Sequence, residues 1–380
     1  MRQKTLSYGR HIVEDEDIAA VSEVLRSDWL TCGPRIGEFE RAVAGFCGAQ
    51  HAVAVSSGTA ALHCAMSALG VGPGDEVIVV PLTFCATANA VVYQGGTPVF
   101  ADVSPGTLLL DPEAVEACIT PKTKGIVAVD YAGQPCDYDR LRRIADRHGL
   151  FLAADACHAL GGAWKGRPVG TLADITCLSF HPVKHITTGE GGMALTGDPG
   201  LAEHMRRMRS HGIDLDPNRR AAEGTWRYEM VSLGYNYRIT DIQCALGLSQ
   251  LTRLPRWLKR REQLAALYHD ALADIPGVAP LERDPAAAHA WHLYVVRVAS
   301  EPKPRRDAAF TGLRARGIQA NVHYIPVYRH PYYRQPGWRE PRCPVCDAAF
   351  EEILSLPMHP GMDDEDIFFV ADALRASLGD

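Results

Sequence analysis

A lysine, an aspartate and a small-residue turn stand out in this 380-residue chain, because in order along the sequence their types would serve one kind of chemistry. Ser56-Ser57-Gly58-Thr59-Ala60-Ala61-Leu62 follows a short apolar run and opens a helix. Unpaired N–H groups and the helix dipole make such a turn an anion site, and the Thr59 hydroxyl adds a donor. An ordinary Ser/Thr helix cap looks the same when viewed alone. Asp155 ends a second apolar run, in Ala154-Asp155-Ala156-Cys157-His158. A carboxylate at the carboxyl end of a strand sits where open α/β sheets bind ligands, although a helix-capping aspartate would read alike. Lys184 lies in Ser179-Phe180-His181-Pro182-Val183-Lys184-His185-Ile186-Thr187-Thr188-Gly189-Glu190-Gly191-Gly192, with a serine five residues before it and a Gly-rich turn after it. Of the seven lysines, the other six (Lys4, Lys122, Lys124, Lys165, Lys259 and Lys303) stand in polar contexts, whereas Lys184 is flanked by apolar and aromatic residues. Desolvation there lowers an amine pKa and favours a Schiff base with an aldehyde. Together the three sites supply a phosphate cradle, a partner for a protonated ring nitrogen and a Schiff-base lysine. Those are the needs of pyridoxal 5'-phosphate (PLP), whose ring is an electron sink.

The elements that must position these residues emerge from periodicity. Helices are expected over Asp15 to Arg26, with Ile18, Val21 and Leu25 on one face, and around Phe39, Val43 and Phe46. From His51 onward short apolar strands (Ala52 to Val55, Glu76 to Val80, Pro98 to Ala101, Gly125 to Val129, Leu150 to Ala154) alternate with helices (Thr59 to Leu69, Ala86 to Tyr93, Asp111 to Cys118, Tyr138 to His148). Near-continuous apolar strands are those of a mostly parallel sheet covered on both faces, an α/β architecture. Ile175 to Phe180 and Gly192 to Thr196 add two strands around the lysine loop. A long helix over Leu251 to Leu272 leads into strand Trp291 to Val298 and helices Arg305 to Arg316 and Asp364 to Leu378. The expected organisation is a large domain over 1–250 and a smaller C-terminal α+β domain over 251–380, with an N-terminal arm over 1–30 that the small domain shares.

Composition narrows the function classes. Hydrophobic content is 47%, charged content 22% and net charge -6, which gives no basic footprint for nucleic acid and no polybasic membrane anchor. Without an apolar leader or a membrane-length apolar run, a cytoplasmic protein is expected. The eleven cysteines are scattered, and Cys47, Cys64, Cys177 and Cys244 lie inside apolar runs, which suits reduced core residues better than a disulfide framework.

The sequence resembles the DegT/DnrJ/EryC1/StrS family of sugar aminotransferases over nearly its whole length. The resemblance is carried by Leu30-Thr31-Cys32-Gly33-Pro34, Ser57 to Leu62, Thr83-Phe84-Cys85-Ala86-Thr87-Ala88-Asn89-Ala90, Asp155-Ala156-Cys157-His158, the Ser179 to Gly192 loop and Gly234-Tyr235-Asn236-Tyr237-Arg238. It implies a fold-type I PLP-dependent transferase, assembled as a homodimer with shared active sites. By position it makes Lys184 the Schiff-base lysine and general base, Asp155 the pyridine-nitrogen partner and His158 a neighbour of the ring hydroxyl. Phe84 becomes the stacking aromatic, and Gly58, Thr59 and Ser179 become phosphate ligands. Asn236 is implied to reach the phosphate of the neighbouring subunit. Trp291-His292-Leu293-Tyr294, Val322-His323-Tyr324-Ile325-Pro326-Val327 and Leu354-Ser355-Leu356-Pro357 resemble the pseudaminic-acid branch, as do the stretches around Lys184. That branch implies amination at C4 of a UDP-linked 4-keto-6-deoxy-N-acetyl hexose, with L-glutamate as donor. Another keto-sugar, a C3 ketone or a dTDP or GDP carrier, stays open. Cys343-Pro344-Val345-Cys346 departs from the family pattern.

Other signals carry less. Gly70-Val71-Gly72-Pro73-Gly74 precedes a strand instead of following one, so it reads as a turn and not a dinucleotide loop. Cys343 and Cys346 form a single C-x-x-C pair, short of a zinc site, and no metal is expected. His323 and Tyr324 are candidate substrate contacts or interface residues. Arg238 is a candidate for a substrate diphosphate or a structural ion pair, and Tyr8 a weaker candidate. Two rival functions remain. Sugar dehydration on the same scaffold would replace the lysine with histidine, so Lys184 argues against it. A PLP-binding sensor without turnover would not need Lys184, Asp155 and Asn236 together.

Overall fold

A computed structural model of the chain describes residues 5–214, 220, 222, 224–299 and 305–379. Helices α1 (Asp15–Leu25) and α2 (Pro34–Cys47) precede an alternating α/β region. This region comprises β1 (His51–Val55), α3 (Gly58–Ala68), β2 (Glu76–Val79), α4 (Ala86–Tyr93), β3 (Thr97–Phe100), α5 (Pro112–Cys118), β4 (Thr123–Val129), α6 (Tyr138–His148) and β5 (Phe151–Asp155). After the short strands β6 (Ala163–Trp164) and β7 (Arg167–Pro168) come β8 (Ile175–Ser179), β9 (Gly192–Thr196) and α7 (Pro199–Arg209). The expected elements of this region are present with ends shifted by one or two residues.

Seven strands form the central sheet in the order β1-β9-β8-β5-β4-β2-β3. The pairs β2–β3, β2–β4, β4–β5 and β5–β8 are parallel. Only β9 runs against its neighbours, pairing antiparallel with β1 and β8. Residues such as Val53, Ile78, Val127, Leu152 and Cys177 are fully buried, because helices cover both faces. One register detail shapes the site. Gly192 pairs with both Val55 and Ser179, so the lysine loop leaves and re-enters the sheet beside the turn that opens α3. A Cβ on Gly192 would lie 2.3 Å from the Ser57 carbonyl oxygen, so only glycine permits that approach.

The long helix α8 (Asp241–Leu272) begins at Asp241, well before the expected Leu251. Its start is a capping box in which Thr240 accepts from the Gln243 N–H and the Gln243 side chain accepts from the Thr240 N–H. The helix therefore runs through position 250. It gives Leu251, Leu254 and Trp257 to the sheet core, and Leu264, Ala265, Tyr268 and Leu272 to a second core. That second core packs β10 (Val278–Pro280), β12 (Tyr294–Val298) and β13 (Ile353–Leu356) against α9 (Arg306–Ala315) and α11 (Asp364–Leu378). Strand β11 (Ala287–Ala288) joins β6 and β7 in a small separate sheet, and α10 (Pro344–Glu352) leads directly into β13. The N-terminal arm joins both parts. Leu6 bridges to Ile318 in the second core, and α1 is tied to α8 through buried Asp17, which accepts from Gln250 at 2.7 Å and pairs with Arg253.

Cys343 and Cys346 are buried free thiols. Cys346 and Val345 donate their N–H groups to Asp102, at 2.9 Å each, so the pair marks the capped start of α10. Among the described residues no helix is long and apolar enough to cross a membrane.

Candidate active site

The site gathers at the carboxyl ends of the parallel strands, where the backbone of an open sheet diverges. After β1, Ser57 caps α3 by accepting the Ala60 N–H at 3.1 Å. Gly58 and Thr59 occupy the first helical positions, whose N–H groups have no partner within the helix. Gly58 is required there. A Cβ would stand 2.9 Å from Ser179 Cβ and 3.1 Å from Cys157 Sγ, at the end of β8 and just past β5. The α3 N-terminus, Ser179 and Cys157 therefore form one tight cradle.

Asp155, the last residue of β5, is buried, and its carboxylate accepts from the Thr87 hydroxyl at 2.7 Å and the Cys157 N–H at 3.2 Å. Thr83 and Thr87 hydroxyls lie 2.9 Å apart, so Thr83 can donate to Thr87 while Thr87 donates to Asp155. Lys184 comes after β8 in a turn closed by its N–H to the His181 carbonyl at 2.9 Å. Its amine lies 3.4 Å from His292 Nε2. Burial pulls the Lys184 amine below the ordinary lysine range, and the neighbouring Cys157 and Asp155 oppose that shift. The same burial holds His158 and His292 well below the usual histidine range, so both rings are neutral at neutral pH.

These groups line one cavity of about 530 Å³, together with Tyr8, Phe84, His323 and Tyr324. Phe84 is 57% exposed, with its ring centroid 6.1 Å from that of Tyr324. The Tyr324 hydroxyl lies 3.1 Å from His158 Nε2. His323 is fixed by Ser355 Oγ at 2.8 Å from Nδ1, and its carbonyl accepts from the Tyr131 hydroxyl. The Tyr8 ring centroid sits 5.3 Å from that of His323. Of the residues singled out in sequence, Gly58, Thr59, Phe84, Asp155, His158, Ser179, Lys184, His323, Tyr324 and Tyr8 thus come together. Asn236 and Arg238 do not line the cavity of this chain, and Asn236 is exposed beside a backbone bridge to Ser210.

Sequence reasoning missed Thr83, Thr87 and Cys157 as partners of the site, and His292 as the neighbour of Lys184. It also missed Asp130, at the end of β4 beside Asp155. Asp130 is fully buried, accepts from the Tyr138 hydroxyl at 2.9 Å and the Cys136 N–H at 3.0 Å, and is pushed up to about 7 by burial. The i, i+4 spacing of Thr83 and Thr87 was the one available signal, but spacing does not tell which carboxylate a hydroxyl meets.

The donor set fits PLP. A buried amine suits the aldehyde, a carboxylate fixed by a hydroxyl and an N–H suits a protonated ring nitrogen, and a helix N-terminus with Thr59 and Ser179 suits the phosphate.

Comparison with known proteins agrees. Residues 11–375 match the DegT/DnrJ/EryC1/StrS aminotransferase family. The chain is 44% identical over 380 residues to the spore coat polysaccharide biosynthesis protein SpsC of Bacillus subtilis, covering 98% of this chain and 97% of that one. Among solved structures it resembles Spr1654 of Streptococcus pneumoniae in its PLP form, at 32% identity with a TM-score of 0.92, covering 99% of both chains. It also resembles PseC of Helicobacter pylori, an aminotransferase involved in the biosynthesis of pseudoaminic acid, at 33% identity with a TM-score of 0.92, covering 99% of this chain and 100% of that one. With its fold-type I architecture and this donor set, the chain is a PLP-dependent member of the DegT/DnrJ/EryC1/StrS aminotransferase family.

Proposed function

We propose that this enzyme transfers an amino group from L-glutamate to the C4 ketone of a UDP-linked 4-keto-6-deoxy-N-acetyl hexose. The observation that carries the reading is that Lys184 and Asp155 share one cavity with Tyr8, His323 and Tyr324, leaving room for a sugar beside the cofactor. The C4 ketone is what the resemblance of the His323-Tyr324 stretch to the pseudaminic-acid branch implies, and the likeness to PseC, an aminotransferase involved in the biosynthesis of pseudoaminic acid, supports that branch.

PLP, when bound, supplies an aldehyde that captures amines and a ring that withdraws electrons from the reacting carbon. The chain does the rest. The α3 N-terminus, Thr59 and Ser179 would hold the phosphate, and Phe84 would stack on the ring. Asp155, fixed by Thr87, would keep the ring nitrogen charged. Lys184, with an amine pKa lowered by burial, accepts the proton from the donor's Cα and later returns one to the sugar carbon. Tyr324 and His158 form part of the cavity wall, linked at 3.1 Å.

The site is completed in a homodimer on this reading. Trp226, Met230 and Leu233 are 79%, 68% and 78% exposed, and they form an apolar strip running up to Asn236 and Arg238. Such a strip is the mark of an interface, and it would carry both residues to the neighbouring cavity, Asn236 toward the phosphate and Arg238 toward the substrate diphosphate. A reducing cytoplasm suits the eleven free cysteines.

The test begins with protein converted by glutamate to its amine-loaded form. UDP-linked C4 ketones, C3 ketones and dTDP- or GDP-linked sugars are then titrated, with the product identified by mass spectrometry. Return to the aldehyde form with the UDP-linked C4 ketone is expected. Return only with a C3 ketone or another nucleotide would replace this substrate, and no return with any ketone would favour a sensor.

A further inference from the structure

His292 belongs to no expected ligand set, yet the fold fixes it firmly beside Lys184. The backbone around it is held from two sides. The buried Arg261 guanidinium donates to the carbonyls of Trp291 at 2.9 Å and Met358 at 3.1 Å. Across from it, Ala290 N–H donates to Gly133 O at 2.8 Å and Leu293 N–H to Ala132 O at 3.1 Å. A Cβ on Gly133 would lie 2.9 Å from the Trp291 nitrogen and 3.0 Å from that of His292, so this contact needs glycine, whose φ there is +107°. The imidazole is then placed between two others, with ring centroids 4.4 Å from His158 and 5.6 Å from His185. His185 is itself tied down, donating from Nε2 to the Ala290 carbonyl at 2.9 Å.

The charged and titratable groups facing this pair are Asp155, Cys157, His158, His185 and His323 around Lys184, and His158, His185 and Arg261 around His292. Burial leaves the imidazoles uncharged, and with its one proton on Nδ1, which has no partner among the described residues, His292 offers the Nε2 lone pair to the amine. A lysine has four rotatable side-chain bonds, and among the described residues His292 is the hydrogen-bond partner of this amine. When the lysine is not covalently engaged, its amine needs a fixed acceptor to stay aligned.

We propose that His292 is a positioning residue whose Nε2 accepts a hydrogen bond from the Lys184 amine and aims it at the reacting carbon. The proposal rests on the PLP-dependent reading of the site. Lys184 takes one proton from the donor's Cα, holds it as an ammonium against Nε2, and gives one proton up within the same half of the turnover. His292 stays uncharged throughout, so no proton is gained or lost overall.

The test compares wild type with His292→Phe and His292→Gln. The first readout is the pH dependence of Lys184 labelling by an amine-reactive reagent in cofactor-free protein. The second is the isotope effect on the glutamate half-reaction with Cα-deuterated donor. In His292→Phe the Lys184 amine should titrate lower, since an acceptor for its ammonium is gone. The half-reaction should slow about 10²-fold with a larger isotope effect, as expected for a misaligned proton-transfer group. His292→Gln, which keeps an acceptor, should recover most of both. A His292→Phe protein with unchanged titration and isotope effect overturns the proposal, even if its rate falls. Should that variant not fold, the ¹⁵N resonance of the His292 imidazole in the folded protein decides: it must shift on Lys184→Ala, and an unmoved resonance overturns the proposal. Failure of wild type to take up PLP would contradict the cofactor reading alone, because the labelling and the resonance need no cofactor.

Discussion

Two carboxylates at adjacent strand ends, Asp155 and Asp130, are given different tasks by their surroundings. Asp155 receives Thr87 and Cys157 and faces the cavity, while Asp130 at the end of the neighbouring strand is fully buried, with no partner for Oδ2 among the described residues. Removing the Thr87 hydroxyl, as in Thr87→Val, takes one donor from Asp155. A hydrogen bond to a charged group contributes about 1.5–3 kcal/mol, so the glutamate half-reaction measured by stopped flow should slow at least tenfold with the fold intact. Asp130 gives a pH prediction. Its carboxyl is raised by burial to about 7, so the native state keeps its proton where the unfolded chain has lost it. Its contribution to stability is full below the unfolded value near 4 and is lost as pH rises through about 7. In Asp130→Asn this part of the pH dependence should vanish. Thermal melts between pH 4 and 8 check this, and a variant with the wild-type slope would contradict it. Asp155 was readable in sequence because it ends an apolar run, and Lys184 because it alone of the seven lysines is flanked by apolar and aromatic residues. Asp130 also ends such a run, but nothing in its neighbours marked it as fully buried.

At the scale of elements, the cradle depends on β1, β5 and β8 delivering their ends to one point. Gly58→Ala places a methyl group against Cys157 Sγ and against Ser179 Cβ, which is fixed to the backbone at the end of β8 and cannot rotate away. Overpacking of this kind costs about 1–3 kcal/mol. A PLP titration should show affinity weakened about tenfold or more, with a lower melting temperature. Unchanged affinity would remove the α3 N-terminus from the phosphate site. Most strands and helices of the sheet region were legible because their apolar runs are continuous and their turns rich in Gly, Ser and Asp. The start of α8 was not. Its Thr240–Gln243 capping box is a genuine sequence signal, but Gly247 and the polar Gln243, Ser249 and Gln250 blur the apolar face up to Leu251. The sheet of β6, β7 and β11 was invisible for another reason, since strands of two residues have no periodicity.

For the whole molecule, one chain supplies the lysine, the carboxylate and the cradle, and leaves Asn236 and Arg238 outside the cavity beside an exposed apolar strip. No single-chain geometry could have shown where those two residues act, which is why sequence position alone left them as expectations. Leu233→Glu puts a charge on a side chain that is 78% exposed in the isolated chain. If the strip is an interface, sedimentation should show a dimer for wild type and a monomer for the variant, with weakened PLP binding. A variant that sediments and binds PLP like wild type would contradict the shared site.

The covalent role of Lys184 is the central claim, and absorbance spectroscopy reaches it most directly. Purified wild type and Lys184→Ala are each mixed with PLP, and spectra are taken before and after adding L-glutamate. Wild type should show a visible band that glutamate bleaches, and the variant should never form the lysine-linked band. A wild type that takes up no PLP, or a variant whose spectra match it, would contradict the assignment of Lys184.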